Sequence, residues 1–292
     1  MKLSVITDEI SQDLAEAVQI AARYGMDAIE LRTAWNKQPH ELTDADVETV
    51  RRLCAENGLR VCAISSPFFK CEFTQEEIER QITLLQKTIS VARRLECRII
   101  RGFSFWQGDD FDDILPRLAR AFEQPAKMLA AADMVLVLEP DPAVYACNGS
   151  RVARLVQAVG SPCIRALWDA GNDIYSPVPE RPFPEGYQTI RPYMAHMHLK
   201  DAVLVNGEPR CVKLGEGIVN WPAHLDALKR DGYSGYMSLE THYRKDAELS
   251  EELMRLPGGS AFSRGARAAS EECMEALRQM LCTMENGREM AK

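Results

Sequence analysis

Short apolar segments alternate with longer amphipathic segments along almost the whole chain. Residues 2–7 form a β-rich run, and residues 13–24 carry apolar side chains at helical spacing up to Gly25, a residue suited to a helix C-terminus. The alternation continues and predicts eight strands and seven helices. The predicted strands are 2–7, 28–31, 60–65, 98–103, 134–138, 164–168, the run 196–201 and 235–239. The predicted helices are 13–24, 43–56, 74–95, 112–131, 151–159, 221–230 and 262–284.

Parallel-type strands that alternate with helices in this way favour an α/β fold made of a single (β/α)8 TIM barrel. A doubly wound dinucleotide-binding sheet would need a glycine-rich turn after its first strand, where this chain has Asp8-Glu9-Ile10-Ser11. The predicted domain spans residues 1–292, with a loop insertion at 244–260 and the terminal helix at 262–284. A polar loop is predicted after the seventh strand, and the proline-rich stretch 176–193 predicts an irregular loop.

Composition and charge narrow the classes of function. The net charge is −8 and no block of Lys and Arg is longer than a pair, which argues against a surface that binds nucleic-acid phosphates. Nine cysteines without CxxC spacing indicate free thiols rather than a disulfide framework or a zinc knuckle. The sequence contains no long uncharged apolar segment. We therefore expect a cytoplasmic protein with no nucleic-acid or membrane partner.

Four consecutive predicted strands each end in a side chain that can bind a metal ion, namely Glu139, Asp169, His198 and Glu240. In a barrel, adjacent strands bring their carboxyl ends together around one axis, and active sites lie at that end. His198 belongs to the sequence HMHLKD, in which it and His196 point to the same face of a strand. The sequence therefore predicts a four-residue metal site.

The chemistry of these ligands indicates which metal and which reaction to expect. For three carboxylates and one imidazole we predict one divalent ion, with Mn²⁺ as the first choice and Mg²⁺, Co²⁺ or Zn²⁺ as alternatives. An octahedral ion would have two further positions for neighbouring carbonyl and hydroxyl oxygens, and it would stabilise the enediolate that forms when the adjacent C–H is deprotonated. Glu139 and Glu240 are the candidate catalytic acid/base pair. Together these features predict a sugar isomerase or epimerase.

Five stretches carry a resemblance to a known family: VLEP at Glu139, WDAGN at Asp169, HMHLKD at His198, LGEG at Gly215 and SLETH at Glu240. On these stretches the chain resembles the xylose isomerase-like barrels, which include sugar phosphate isomerases and epimerases, hydroxypyruvate isomerase, inosose dehydratase and tagatose-type ketose 3-epimerases. The resemblance implies one divalent ion held by the four ligands, with the two glutamates as acid and base. It also implies a small-molecule sugar or sugar-phosphate substrate and a homo-oligomer.

Four further residues are candidates for substrate binding. Arg32 and Arg101 follow the second and fourth strands and could hold a carboxylate, hydroxyl or phosphate, although an internal ion pair with Glu30 or another acid is an equal alternative. Asn172 stands where several relatives have a histidine. Lys200 belongs to the sequence HLKD, which is common in the family but differs from the polar loop of the tagatose-type epimerases.

Three other functions are weighed against the isomerase. A dehydratase (lyase) of the inosose or dehydroshikimate type is the first, because loss of a neighbouring hydroxyl can follow the same deprotonation. A non-catalytic sugar-binding barrel is disfavoured, since the full ligand set is present. AP endonucleases of this fold need extra histidines, whereas the third and fourth strands end in Ser65-Ser66 and Arg101-Gly102. His242, two residues after Glu240, is expected to be an exposed residue, with a role as a partner of the site as the alternative.

Overall fold

Eight parallel strands close into a barrel in the computed structural model of this chain, which describes residues 1–289. Each barrel strand pairs in parallel with both of its neighbours, and the first closes the barrel against the last. This arrangement confirms the predicted (β/α)8 TIM barrel, although residues 290–292 of the predicted domain lie outside the described residues. In chain order the strands are β1 (Lys2–Ile6), β2 (Ala28–Leu31), β3 (Val61–Phe68), β4 (Ile99–Gly102), β5 (Val135–Leu138), β6 (Ile164–Asp169), β7 (Met194–Leu199), β8 (Asp201–Val205), β9 (Glu208–Val212) and β10 (Tyr236–Leu239).

Helices cover the outside of the barrel and bury their apolar faces against it. Their starts follow from capping side chains: Asp13 accepts a hydrogen bond from the backbone of Ala15, and Thr74 accepts one from Glu77. No helix within residues 1–289 is both long enough and apolar enough to cross a membrane. In chain order the helices are α1 (Leu14–Arg23), α2 (Asp44–Glu56), α3 (Gln75–Arg94), α4 (Phe111–Ala121), α5 (Glu123–Ala132), α6 (Gly149–Val159), α7 (Ala170–Tyr175), α8 (Tyr187–Ile190), α9 (Trp221–Arg230), α10 (Glu251–Arg255), α11 (Gly259–Ser263) and α12 (Ala266–Glu289).

The predicted helix 112–131 is in fact two helices, α4 and α5, which meet at Phe122. Pro125 explains the break. Its nitrogen has no hydrogen to donate to the carbonyl of Ala121, and its ring would clash with that carbonyl in a continuous helix. Near the start of α5 the same proline is tolerated, because the first backbone nitrogens of a helix have no partner inside it.

The polar loop predicted after the seventh strand is an antiparallel hairpin formed by β8 and β9, outside the barrel. The hairpin turns at Asn206 and Gly207, whose φ angles are 55° and 88°. Two consecutive residues with positive φ match a type I′ turn, and Asn-Gly is the pair that this turn prefers. The prediction of a loop was wrong because it overlooked this signal.

Two other predicted loops contain short helices. The stretch 176–193 includes α8, and the insertion 244–260 includes α10. The terminal helix, predicted from residue 262, is divided between α11 and α12. Gly265 separates the two with a φ of 70°, a conformation that a helix cannot accommodate.

A chain of buried polar side chains crosses the interior of the barrel. Ser4 and Ser238 share a hydrogen bond of 2.6 Å, and Ser238 lies 3.2 Å from Nε2 of His196. His196 and His198 both contact Glu30, at 2.7 and 3.0 Å. Because β2 and β7 are not neighbours in the barrel, the contacts between Glu30 and the histidines span its interior. This series of polar contacts ends at His198, which is part of the candidate site.

Candidate metal centre and active site

The four predicted metal ligands meet at the carboxyl ends of four adjacent strands. Glu139 follows β5, Asp169 ends β6, His198 lies in β7 and Glu240 follows β10. The register of β6 and β7 places Asp169 directly opposite His198. One ligand atom from each residue lies within 4.8 Å of the others, and all four side chains are buried. The sequence positions at successive strand ends therefore become one compact cluster.

Each of the two glutamates has one oxygen held by an arginine. Arg101 donates from Nη1 to Oε2 of Glu139 over 2.8 Å, and Arg32 donates from Nη1 to Oε1 of Glu240 over 2.8 Å. The other oxygens, Oε1 of Glu139 and Oε2 of Glu240, lie 3.0 and 3.7 Å from Nδ1 of His198. Each glutamate therefore keeps one oxygen for the shared centre.

The aspartate and the histidine follow the same pattern. Oδ1 of Asp169 accepts a hydrogen bond of 3.0 Å from the backbone N–H of Asn172 and so caps the N-terminus of α7. Oδ2 of Asp169 is buried and makes no hydrogen bond, although Nζ of Lys200 is 3.0 Å away. In His198, Nε2 contacts Glu30 and Nδ1 is left for the centre. All four residues thus present one donor atom inward.

These donors fit a divalent metal ion. Three carboxylate oxygens and one imidazole nitrogen form the hard, oxygen-rich set that Mn²⁺ and Mg²⁺ favour, and Co²⁺ or Zn²⁺ can also accept it. The buried Oδ2 of Asp169 supports this fit, because it makes no hydrogen bond and faces the positive charge of Lys200 Nζ at 3.0 Å. The outer contacts of the ligands resemble the carboxylate and backbone partners that orient ligands in metal sites.

Two other groups in residues 1–289 also lie close enough to hold a metal ion. Both are already satisfied by neighbouring side chains: the two oxygens of Glu30 contact imidazoles, and Nη1 and Nη2 of Arg32 donate to Glu240 and Glu9 respectively. The cluster around Asp169 is therefore the best candidate. The two other groups are Glu30 with His196 and His198, and Glu9 with Glu240 and His242.

The charges of the site favour a cation. Burial raises the pKa of Glu139, but Arg101 and His198 together outweigh it and bring the pKa to about 2. Burial likewise disfavours ionised Glu240, yet Lys200 and His242 hold its pKa well below the usual value. The pKa of Asp169 is raised by burial and by the neighbouring carboxylates, with partial compensation from Lys200. A dense group of acids in a buried site is stabilised by added positive charge.

The four candidate substrate-binding residues occupy different positions. Lys200 lies in the centre, with Nζ 2.5 Å from Oε2 of Glu240, and Asn172 donates to the carbonyl of Pro140 over 2.9 Å. Both line the cavity above the site, as does Arg101. Arg32 is fully buried and does not line it. Arg32 therefore forms internal ion pairs, the alternative to substrate binding, and its partners are Asp8, Glu9 and Glu240 rather than Glu30.

Sequence reasoning missed several residues of the site. Asp8 and Glu9 follow β1 directly, which was a usable signal, because the four candidate ligands also lie at or next to strand ends. Glu30 was considered only as a partner of an arginine, whereas it contacts both histidines. His242 is buried, with Nδ1 2.8 Å from Oε1 of Glu9, so it is a partner of the site rather than an exposed residue.

A cavity of about 930 Å³ opens above the four ligands. Glu139, Lys200 and Glu240 lie at its base. The hairpin of β8 and β9 forms one wall and the insertion 244–260 forms another. An ion pair of 3.0 Å between Arg210 and Glu248 joins these two walls. The volume is within the range of small-molecule sites, and the centre is accessible to a substrate through this cavity.

Comparisons with known proteins agree with this architecture. A family model described as a xylose isomerase-like TIM barrel matches residues 18–278. A D-allulose 3-epimerase from Methylomonas sp., solved with D-allulose, has 17% identity and a TM-score of 0.74, with 96% of this chain and 97% of that chain covered. A probable 3-DHS dehydratase from Bacillus anthracis has 19% identity and a TM-score of 0.71, with 95% and 99% covered. A 3-keto-D-glucoside 4-epimerase from E. coli has 14% identity and a TM-score of 0.68, with 92% of this chain and 99% of that chain covered. At these identities the structural similarity shows a shared fold.

Proposed function

Because the chain belongs to the xylose isomerase-like TIM barrel family, we propose that it is a divalent-metal-dependent enzyme that isomerises or epimerises a sugar or sugar phosphate. The observation that carries the proposal is the cluster of four buried ligands, each with one donor atom directed to a shared centre at the base of a cavity. A binding protein would not need two ionisable glutamates beside that centre. We propose Mn²⁺ as the ion, a cytoplasmic location and assembly into a homo-oligomer.

Glu139, Asp169, His198 and Glu240 would hold the ion. When bound there, it would polarise a substrate carbonyl and stabilise the negative charge that develops on deprotonation. The surrounding protein contributes position: Arg101 and Arg32 fix the two glutamates, and burial excludes bulk water from their inward oxygens. The ligands thus keep a fixed geometry before any substrate arrives, which is the condition for electrostatic preorganisation.

Proton transfer is assigned to Glu139 and Glu240. They follow β5 and β10, the two ends of the four-strand arc that carries the site, so they can approach a bound substrate from different sides. One carboxylate removes the proton next to the carbonyl and gives an enediolate. If the other returns a proton on the opposite face of the same carbon, the product is an epimer. A proton returned to the neighbouring carbon gives the aldose–ketose isomer.

Lys200, Asn172 and Arg101 would bind the substrate. The ammonium of Lys200 is beside Glu240 at the base of the cavity, where it can donate to a substrate hydroxyl or carbonyl oxygen. Asn172 presents its amide on the same surface. Arg32 is fully paired with three acids and is assigned to the support of Glu240 instead.

A dehydratase is the second candidate. Lys200 is a third proton-carrying group at the centre, 2.5 Å from Glu240, and such a group can protonate a hydroxyl that leaves after the same deprotonation. The isomerase and the dehydratase share their first step. They differ in product mass, because the dehydratase releases water.

The function is tested by a screen of ketoses, ketose phosphates and inososes with the Mn²⁺-loaded protein in D₂O. Deuterium at the carbon next to the carbonyl, detected by NMR, is the expected result for an isomerase or epimerase. A product lighter by one water, detected by mass spectrometry, selects the dehydratase. If the purified protein binds none of Mn²⁺, Mg²⁺, Co²⁺ and Zn²⁺, the proposed centre is wrong.

A further inference from the structure

We propose that Glu30 is a positioning residue that makes Nδ1 of His198 the metal-binding nitrogen. Glu30 lies in β2, a strand that supplies none of the four ligands. The inference rests on the proposed function, because it takes His198 to be a ligand. It adds a specific assignment: which ring nitrogen binds the ion, and which residue decides this.

Both carboxylate oxygens of Glu30 have close polar partners in the interior of the barrel. Its side chain is fully buried, and Oε1 lies 3.0 Å from Nε2 of His198. Oε2 lies 2.7 Å from Nε2 of His196, and the hydroxyl of Ser65 donates to Oε1. On the opposite edge of the His198 ring, Nδ1 is 3.0 Å from the inward oxygen of Glu139. The ring is therefore held between a carboxylate outside the centre and the centre itself.

The chemistry of the two groups then fixes the tautomer of a neutral His198. An ionised carboxylate can only accept hydrogen bonds, so the imidazole must carry its proton on Nε2 when it faces Glu30. Nδ1 then has a free lone pair directed at the other ligands. A carboxylate that orients a ligating histidine in this way also increases its basicity.

His196 provides a matched comparison within the same structure. It contacts the same carboxylate through the same ring nitrogen, but its Nδ1 has no hydrogen-bond partner and it does not belong to the four-ligand cluster. Removal of His196 therefore disturbs the packing around Glu30 and leaves the contact between Glu30 and His198 in place. A purely structural role for Glu30 predicts similar effects from the two changes, whereas a positioning role predicts that only one of them affects the metal.

The first experiment measures Mn²⁺ binding by isothermal titration calorimetry in the wild type, Glu30→Gln and His196→Asn. Glutamine keeps the shape of Glu30 but cannot offer an acceptor oxygen to both histidines. We expect Glu30→Gln to weaken Mn²⁺ binding by about 10- to 100-fold. His196→Asn should change it by less than about threefold, since it leaves the partner of the ligand intact. Thermal unfolding of all three proteins shows whether each variant folds. Equal affinity in the wild type and folded Glu30→Gln would overturn the inference.

The second experiment needs no substitution at Glu30. Long-range ¹H–¹⁵N correlation spectra of the Zn²⁺-loaded wild type, labelled at histidine, report which nitrogen of each ring carries the proton. We expect the His198 proton on Nε2, with the Nδ1 signal shifted by the metal. A proton on Nδ1 would overturn the inference while leaving the metal centre intact. Absence of metal binding in the wild type would instead overturn the proposed function and this inference together.

Discussion

Arg32 donates a hydrogen bond from Nη1 to Oε1 of Glu240, and the two atoms are 2.8 Å apart in the interior of the barrel. The same guanidinium also contacts Asp8 and Glu9. Arg32 therefore pairs with three buried acids at once and leaves only Oε2 of Glu240 for Lys200 and the shared centre. Loss of this arginine would leave Asp8 without its ion-pair partner and would take one partner from each of the two glutamates. Uncompensated buried charge is among the most destabilising changes that a protein can suffer.

We accordingly expect Arg32→Gln to lower the free energy of unfolding by about 3–5 kcal/mol. Urea denaturation of the wild type and the variant measures the difference. Arg51→Gln is the matched control, because Arg51 pairs with Glu48 and Glu96 on the surface. Exposed pairs contribute about 0–1 kcal/mol, so the control should unfold nearly as the wild type does. Similar losses of unfolding free energy in the two variants would show that the buried ion pairs of Arg32 stabilise the protein no more than surface pairs do.

Asp169→Asn should abolish tight metal binding without disrupting the helix that Asp169 caps. Asparagine can still accept the hydrogen bond from the backbone of Asn172, so α7 keeps its cap. The negative charge and the inward carboxylate oxygen are lost, and we expect Mn²⁺ affinity to fall by at least about 100-fold. Asp13→Asn, which changes the cap of α1 in the same way, should leave calorimetric Mn²⁺ binding as it is. Retained affinity in Asp169→Asn would remove Asp169 from the ligand set.

Glu240→Gln should slow proton exchange at the substrate carbon by about 10²- to 10⁴-fold, the contribution expected of one general acid or base. The measurement is deuterium incorporation from D₂O at saturating Mn²⁺, so that weaker metal binding does not limit the rate. Glu252→Gln, on the exposed side of α10 and outside the cavity, serves as the control. An exchange rate in Glu240→Gln equal to that of the control would assign the proton transfers to other residues.

His224 should make the protein less stable as the pH falls. Nε2 of its buried ring accepts a hydrogen bond of 2.9 Å from Nε1 of Trp168, and burial lowers the pKa of His224 to about 3. The unfolded chain binds a proton near pH 6.5, so between pH 6.5 and 3 it holds more protons at this residue than the folded chain. The free energy of unfolding therefore decreases on acidification, by at most about 1.4 kcal/mol per pH unit from this group.

The comparison that isolates this effect is His224→Gln, because the glutamine oxygen can still accept from Trp168 but does not titrate. Urea denaturation at pH 7, 6, 5 and 4 should give a smaller pH slope for the variant than for the wild type. The difference between the two slopes is the contribution of His224. Parallel slopes would mean that His224 is protonated in the folded state as readily as in the unfolded state.

The barrel and the clustering of the four candidate ligands could be predicted from the sequence because both depend on local order along the chain. Each barrel strand is a short apolar run, and Glu139, Asp169, His198 and Glu240 occur at or next to the ends of four successive barrel strands. A closed parallel barrel turns that linear order into proximity without further information. The hairpin at Asn206 was also predictable, since its turn chemistry is local.

The support of the ligands could not be predicted, because it depends on contacts across the interior. Glu30 is 166 positions from His196 and 168 from His198, and Glu9 is 233 from His242. Whether Arg32 meets a substrate or three acids depends on which side chains fill the barrel, and no pattern along β2 records that. Residues that act through one another across a barrel become visible only when the strands are in place.

The buried contact between Glu30 and His198 separates metal binding from sugar selection, two properties that a designer usually has to change together. A sugar would touch the cavity walls formed by the hairpin and the insertion 244–260. The ring of His198, by contrast, is oriented from inside the barrel by Glu30. Metal affinity is therefore expected to change with substitutions at Glu30, which does not line the cavity, while the walls that contact the sugar stay as they are.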